Sequence, residues 1–235
     1  METLLEERPR SGEEVISGDE ELLRRGSPVV RVGRFREPVV SVGVSQKGSE
    51  PFVDRAAEAG LPVVRRVSGG GPLLHGPGDL FWSLVLPRAH SLAGAGFVRN
   101  YARLGAGWTT FLATHGISAG WTSPPASNEG YCLLSSRGEV LASDGRVLGG
   151  ASQHVTQRAL LHHGVVNCAL DRDLLSRIFG LQREELALLT SLEELGVPSD
   201  LVQLRTVARH LTRALETLKG VEGVPVSPSD DKRVS

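Results

Sequence analysis

The chemistry-capable residues of this chain crowd into one run: Arg65-Arg66-Val67-Ser68-Gly69-Gly70-Gly71-Pro72-Leu73-Leu74-His75. Three successive glycines keep no side chain between backbone and ligand, and they reach positive φ without strain. Their N–H groups can converge on a carboxylate or phosphate as a backbone nest. Arg65 and Arg66 alternate in direction on an extended segment, so one can face a pocket while the other faces solvent. A guanidinium there suits bidentate contact with an anion. The bland alternative is a glycine-rich turn flanked by surface arginines. No Gly-Lys-Ser/Thr follows, and the Gly-x-Gly-x-x-Gly spacing is absent, so the run is neither a Walker loop nor a dinucleotide fingerprint.

A second polar group follows downstream. Ser143-Asp144-Gly145 makes a tight turn of the kind Asp-Gly favours. It is followed by Arg146 and the glycine pair Gly149-Gly150 with Ala151. His162 and His163 are adjacent on an extended segment, so at most one of them reaches a given face. Cys132 is either a nucleophile, if a nearby arginine favours its thiolate, or a small apolar filler. Cys168 follows Val165-Val166-Asn167 and reads as packing, while His154 has no metal-spaced partner. The chain holds only three lysines, Lys47, Lys219 and Lys232, so arginine carries nearly all the positive charge.

The elements that must position these groups alternate between short strands and helices. Helical spacing predicts a helix over Glu13 to Arg25, interrupted at Gly18, and another over Asn100 to His115 with Tyr101, Trp108 and Phe111 in the core. Asp54 to Gly60 and Asp200 to Leu218 are also predicted helices. Strands are predicted from Pro28 to Phe35, from Val39 to Val44, from Leu61 into the glycine run, and from Asp79 to Leu86. Tyr131 to Leu134, Glu139 to Ala142, and the segments carrying Gly149 and His163 complete the set. Thr122 to Asn128 reads as a turn-rich loop. Residues 1–12 are expected to form a flexible leader, 13–220 a single domain, and 221–235 a mobile tail.

The chain's 235 residues suffice for one such domain, and a formal net charge of −1 gives no global basic excess to suggest nucleic acid. No apolar run is long enough for a membrane span, and the acidic N-terminal segment has no signal-peptide core. No metal-ligand spacing occurs among the cysteines. A cytoplasmic protein with no membrane and no nucleic-acid partner is the expectation.

The run RRVSGGGPLLH closely resembles the RRxxGGGxxxH signature of the lipoate–protein ligase, octanoyltransferase and biotin–protein ligase superfamily. Asp19-Glu20-Glu21-Leu22-Leu23 resembles the family's DExLL run. Pro38-Val39-Val40-Ser41-Val42-Gly43 resembles its Pro-x-Val-Ser-x-Gly turn, and His162-His163-Gly164 its His-His-Gly. The resemblance implies an α/β (α+β) domain with a mixed, largely antiparallel sheet and flanking helices. It also implies an activity: moving an octanoyl or lipoyl group to a lysine of a lipoyl carrier domain or of glycine-cleavage H protein. Acyl carrier protein is then a candidate donor, and ATP with Mg enters only if the chain is a ligase. The implied substrate-binding residues are Arg65, Arg66, Ser68, Gly69, Gly70, Gly71, His75, Gly149, Gly150 and Ala151. Cys132-Leu133-Leu134 through Glu139-Val140 resembles the context of a nucleophilic cysteine in the octanoyltransferases. The segment Arg146 to Gln153 resembles a lysine-bearing segment, with Arg146 where the lysine is expected and hence at the acyl carbonyl. The alternatives are an ATP-dependent lipoate–protein ligase, or a non-catalytic acyl-binding relative, because arginine cannot serve as a base at neutral pH.

Overall fold

Apolar runs interrupted by one or two polar residues build the centre of this fold. VVRVGR, LFWSLVLP and ALLHHGVV form long strands buried on both faces, and their polar residues end up side by side. The computed structural model describes residues 1–47, 50–93, 97–121, 131–135 and 139–219. The Thr122–Asn128 loop and the tail from 221 lie outside the described residues.

In chain order the elements begin with β1 (Glu2–Leu5), α1 (Gly12–Arg25), β2 (Val29–Arg34), β3 (Val39–Val42), α2 (Pro51–Glu58) and β4 (Val63–Arg65). Next come β5 (Leu73–His75), β6 (Leu80–Pro87), α3 (Phe97–Ala113), β7 (Ala119–Trp121), the single turn α4 (Cys132–Ser135) and β8 (Glu139–Ala142). The chain continues through β9 (Val147–Val155), β10 (Ala159–Val166), α5 (Arg172–Phe179), the short α6 (Arg183–Leu186) and α7 (Leu204–Lys219).

The main sheet has seven strands in the order β1-β2-β6-β10-β9-β8-β7, and a second sheet has three in the order β4-β3-β5. Within the main sheet only β1 and β2 run parallel; the other pairs are antiparallel, so the sheet is mixed and largely antiparallel as expected. On one face α3 and α7 cover a core of Trp82, Trp108, Phe111 and Leu160. The other face meets the small sheet, α2 and α5 through Phe35, Phe52, Phe81, Val165 and Ile178.

Three expectations need correction. The first twelve residues are not a loose leader. Leu4 and Leu5 pair with Arg31 and Val32, and Arg10 binds Glu6 and Glu14. Backbone pairing at an open sheet edge outweighs the polar composition that suggested solvation. Residues 132–135 are a helical turn, not a strand; the chain reaches β8 beyond it. Gly18 does not break α1, which runs from a Ser11–Glu14 capping box to the left-handed Gly26. A Cβ on Gly18 would lie 2.6 Å from the Arg31 guanidinium, so the missing side chain makes room for that arginine.

Candidate active site

Strand register explains how the site is assembled. Arg31 on β2 faces Ser83 on β6, Ser83 faces His163 on β10, and His163 faces Ser152 on β9. Residues paired across strands share a face, so these four form one polar row across the sheet. The neighbouring row is Gly33, Phe81, Val165 and Gly150, which has little side-chain bulk at its ends. A cavity opens above that second row.

Every member of the polar row holds something above the sheet. Arg31 donates through Nη1 to the Val15 carbonyl (2.9 Å) and to Asp19 Oδ1 (3.1 Å), and through Nε to Glu6 (3.0 Å). Ser83 donates to the same Asp19 oxygen. Asp19 Oδ2 lies 2.7 Å from His163 Nδ1, and His163 Nε2 lies 2.7 Å from Ser68 Oγ. The carboxylate places the proton of a neutral His163 on Nδ1, so the Ser68 hydroxyl donates to Nε2. Ser152 donates to the Gly69 carbonyl at 3.2 Å. Helix α1 and the glycine loop are thereby fastened to the sheet by mutually satisfied buried polar groups, a costly arrangement unless complete.

The glycine loop is fixed equally from the small sheet. Arg66, 7% exposed, donates to Ser41 Oγ (2.6 Å) and to the carbonyls of Gly69 (3.2 Å) and Gly71 (3.0 Å). Ser41 Oγ lies 2.7 Å from His75 Nε2, and the His75 ring stacks on Phe35 at 4.3 Å. Burial, with the nearby Arg66 and His163 adding to it, pulls His75 down to about 3, so it is neutral. Since Arg66 donates to Ser41, the serine hydroxyl is directed onto His75 Nε2. Burial also pulls Arg66 below the ordinary guanidinium range, and negative charge on Cys132 opposes that pull.

Cys132 meets this assembly at the cavity wall. A Cβ built on Gly70 would lie 3.4 Å from Cys132 Sγ and 3.5 Å from Arg66 Nη2, so sulfur, loop and guanidinium surround one point. Gly70 has φ of 98°, in the left-handed region that favours glycine. The cavity and its open mouth enclose about 560 Å³. Val15, Leu73, Phe81, Leu133 and Val165 give it an apolar lining, and Arg66, His75, Cys132 and His163 add polar groups. This is the usual composition of a small-molecule site.

Five of the twelve residues expected from sequence line the cavity: Arg66, His75, Cys132, Gly150 and Ala151. Gly69, Gly70 and Gly71 are not among its lining residues, and the loop meets the neighbouring strand directly where Ser152 reaches the Gly69 carbonyl. Ser68 is fully buried behind the loop. Arg65 turns away: its Nη1 binds the carbonyls of Gly43 (3.0 Å) and Gln46 (2.5 Å), bracing the segment after β3. Gly149 lies where a Cβ would come 2.2 Å from the Val165 carbonyl, so it serves close strand approach.

The expectation for Arg146 is wrong. It occupies the β8–β9 turn, with Nε on Asp144 (2.8 Å) and Nη1 on Glu194 (3.2 Å), and it does not line the cavity. The turn and two carboxylates hold it outside, and the cation beside Cys132 is Arg66.

As alternation required, only one of the adjacent histidines lines the cavity. His163 does so, while His162 packs on the other face against Trp82, with ring centroids 4.7 Å apart. Cys168 is buried, and burial pushes its thiol up to about 12, in keeping with packing. Sequence reasoning missed Asp19, Arg31, Ser83 and Ser152 as parts of the site. The available signal was the presence of polar residues inside otherwise apolar strands.

An apolar cavity fronted by a cysteine beside a buried arginine has the make-up of a site for a small ligand with an apolar body and a polar end. The fold has solved counterparts. A lipoate-protein ligase A crystallised with ATP superposes with a TM-score of 0.72 at 21% identity, covering 93% of this chain and 85% of that one. The biotin protein ligase of Aquifex aeolicus, with biotin and ATP, gives 0.51 at 12% identity over 94% of this chain and 72% of that one. Residues 13–214 match the lipoyl protein ligase A/B catalytic domain, and the chain belongs to that family. Among curated relatives, the octanoyltransferase LipM of an Exiguobacterium species is 27% identical over 168 residues, 67% of this chain and 60% of the relative. That of Staphylococcus aureus is 27% identical over 171 residues, 68% and 62% respectively. That of Symbiobacterium thermophilum is 28% identical over 231 residues, 91% and 79%. The chain therefore spans somewhat less than two thirds of the length of the first two relatives.

Proposed function

We propose that this chain is an acyltransferase of protein lipoylation, moving an octanoyl or lipoyl group through Cys132 to a lysine of a lipoyl carrier domain. The observation that carries this reading is the meeting of Cys132 Sγ, the Gly70 backbone and the buried Arg66 at the wall of an apolar cavity. Arg66 donates its hydrogen bonds to neutral acceptors, Ser41 Oγ and two carbonyls. A buried guanidinium so placed favours negative charge beside it, first on the sulfur and then on the acyl oxygen. In the first step the Cys132 thiolate attacks the carbonyl carbon of a carrier thioester, and the carrier thiolate leaves and takes up a proton. In the second step the neutral lysine amine attacks the acyl-Cys132 carbonyl. The C–N bond forms, the C–S bond breaks, and the amine proton passes to solvent or to the leaving thiolate. Neither step consumes ATP.

The relatives named octanoyltransferase support an octanoyl group as the one transferred in this scheme. A non-catalytic role rested on Arg146 at the acyl carbonyl, and Arg146 lies outside the cavity. Glycine-cleavage H protein is a second acceptor of the same chemistry, and acyl carrier protein supplies the thioester.

The test is transfer from octanoyl carrier protein to an apo lipoyl domain and to apo H protein, with and without ATP and Mg. The expected result is ATP-independent octanoylation that Cys132→Ala abolishes. Modification only with free acid and ATP identifies a ligase instead, and no modification under either condition contradicts the reading.

A further inference from the structure

The glycine loop has unused donors. Among the described residues the N–H groups of Gly69, Gly70 and Gly71 donate to no protein acceptor. Two of their three carbonyls are occupied, with Gly69 accepting from Arg66 and Ser152 and Gly71 accepting from Arg66. With those two carbonyls held by side chains, the peptide N–H groups are the donors this loop has left. Cys132 Sγ lies against Gly70, so an acyl carbon bonded to that sulfur would carry its oxygen past this edge.

What fixes the loop on its other side is the chain Asp19–His163–Ser68, with both hydrogen bonds at 2.7 Å. Ser68 is fully buried, so its hydroxyl reaches no substrate and acts as an anchor rather than a nucleophile. Asp19 is itself fixed by Arg31 and Ser83, which tie the anchor to β2 and β6. The residue after the anchor, Gly69, is the first of the free donors.

We propose that Asp19, His163 and Ser68 are positioning residues for acyl transfer, holding the N–H groups of Gly69–Gly71 beside Cys132 as an oxyanion hole. This rests on Cys132 as the acyl acceptor. The thiolate attacks the thioester carbon, electrons move to the carbonyl oxygen, and the loop N–H groups together with Arg66 bear that charge. When the carbonyl re-forms, the carrier thiolate is expelled and the oxygen returns to a weaker hydrogen bond. The donors are fixed before the reaction, so no reorganisation is needed as charge develops. Removing one donor from such a site lowers turnover by roughly 10²–10³.

Two reactions of the same sulfur separate this role from a structural one. Acylation by octanoyl carrier protein passes through an oxyanion; alkylation by iodoacetamide displaces iodide and does not. Ser68→Ala and His163→Ala are each compared with wild type in both reactions, with His163→Gln as the conservative variant. The expected result is an acylation rate at saturating carrier lowered by about tenfold or more, with little change in KM. Alkylation stays within about twofold of wild type, and His163→Gln recovers part of the acylation rate. Acylation at the wild-type rate in Ser68→Ala and His163→Ala overturns the proposal. So does an equal fall in both reactions, which would report a displaced or altered thiol. A wild-type protein that is alkylated at Cys132 but never acylated there overturns the proposed function, and this inference with it.

Discussion

Gly43→Ala tests how tightly the glycine loop is set against the small sheet. A Cβ at this position would sit 2.2 Å from the Gly70 carbonyl oxygen, 3.0 Å from the Gly69 carbonyl carbon and 3.1 Å from the Gly70 nitrogen. Ordinary contact begins at 3.4 Å, so the shortest of these must lengthen by about 1 Å. All three atoms are backbone, and no side-chain rotation can relieve the overlap. The loop is meanwhile held by Arg66 on two carbonyls, by Ser152 on one, and by Ser68 on His163. Either these bonds stretch or β3 moves, and overpacking of this kind costs about 1–3 kcal/mol. For a chain of this length each kcal/mol lowers Tm by roughly 2–4 °C, giving a fall of about 2–12 °C. Displacing reacting groups by 1 Å costs on the order of 10²-fold in rate. The assay pairs a thermal melt with octanoyl transfer to a lipoyl domain. A variant with wild-type Tm and wild-type transfer would show that the close approach of Gly43 to the loop does not exist in solution.

Other expected outcomes follow from the same geometry. Arg146→Ala removes only exposed ion pairs, so transfer should stay within about twofold and stability within about 1 kcal/mol, measured by urea melts. A large loss of transfer would return Arg146 to the site. Arg31→Met leaves Asp19 buried without its cation and should cost about 3–5 kcal/mol in the same melts. Acid should weaken the fold through His75 and His162, both held near 3 by burial against an ordinary 6.5. The unfolded chain binds their protons first, so their contribution is full above pH 6.5 and is lost as pH falls. Asp79, pushed up to about 7 by burial, acts oppositely and offsets part of this. Wild-type stability should therefore fall as pH drops through that range, and His75→Gln should fall less steeply. Equal slopes in the two proteins would show that His75 is not buried neutral.

Local patterns made much of this molecule legible, because the cavity is built from motifs whose physics is local. Three glycines need a turn with a free backbone edge, and alternation at Arg65-Arg66 and His162-His163 correctly allowed one residue of each pair inward. Arg146 was placed by resemblance alone, which says nothing of its surroundings here. The strand begins at Val147, and the β8–β9 register shifts between Val140 and Leu141, so parity counted along the sequence does not carry across. β1 was invisible because its pairing partner, not its composition, makes it a strand. The Asp19–His163–Ser68 chain joins residues far apart in sequence, and only the packing of α1 and the glycine loop against β10 brings them together. Yet each apolar strand run carried a polar residue of the row, Arg31, Ser83 or His163, and buried polar groups need partners. Read as a set, those interruptions would have pointed to a shared row.

The central claim is that an acyl group rests on Cys132 between donor and acceptor. The most direct measurement is a pulse and chase. The protein is mixed with octanoyl carrier protein, separated from it, and given an apo lipoyl domain without ATP, with intact masses and peptide maps recorded at each stage. The account predicts one octanoyl thioester on Cys132 after the pulse, lost at the rate at which a single lysine of the lipoyl domain becomes octanoylated. An isolated acyl group found elsewhere, or a Cys132 adduct that never reaches the lipoyl domain while transfer proceeds in the complete mixture, would contradict it.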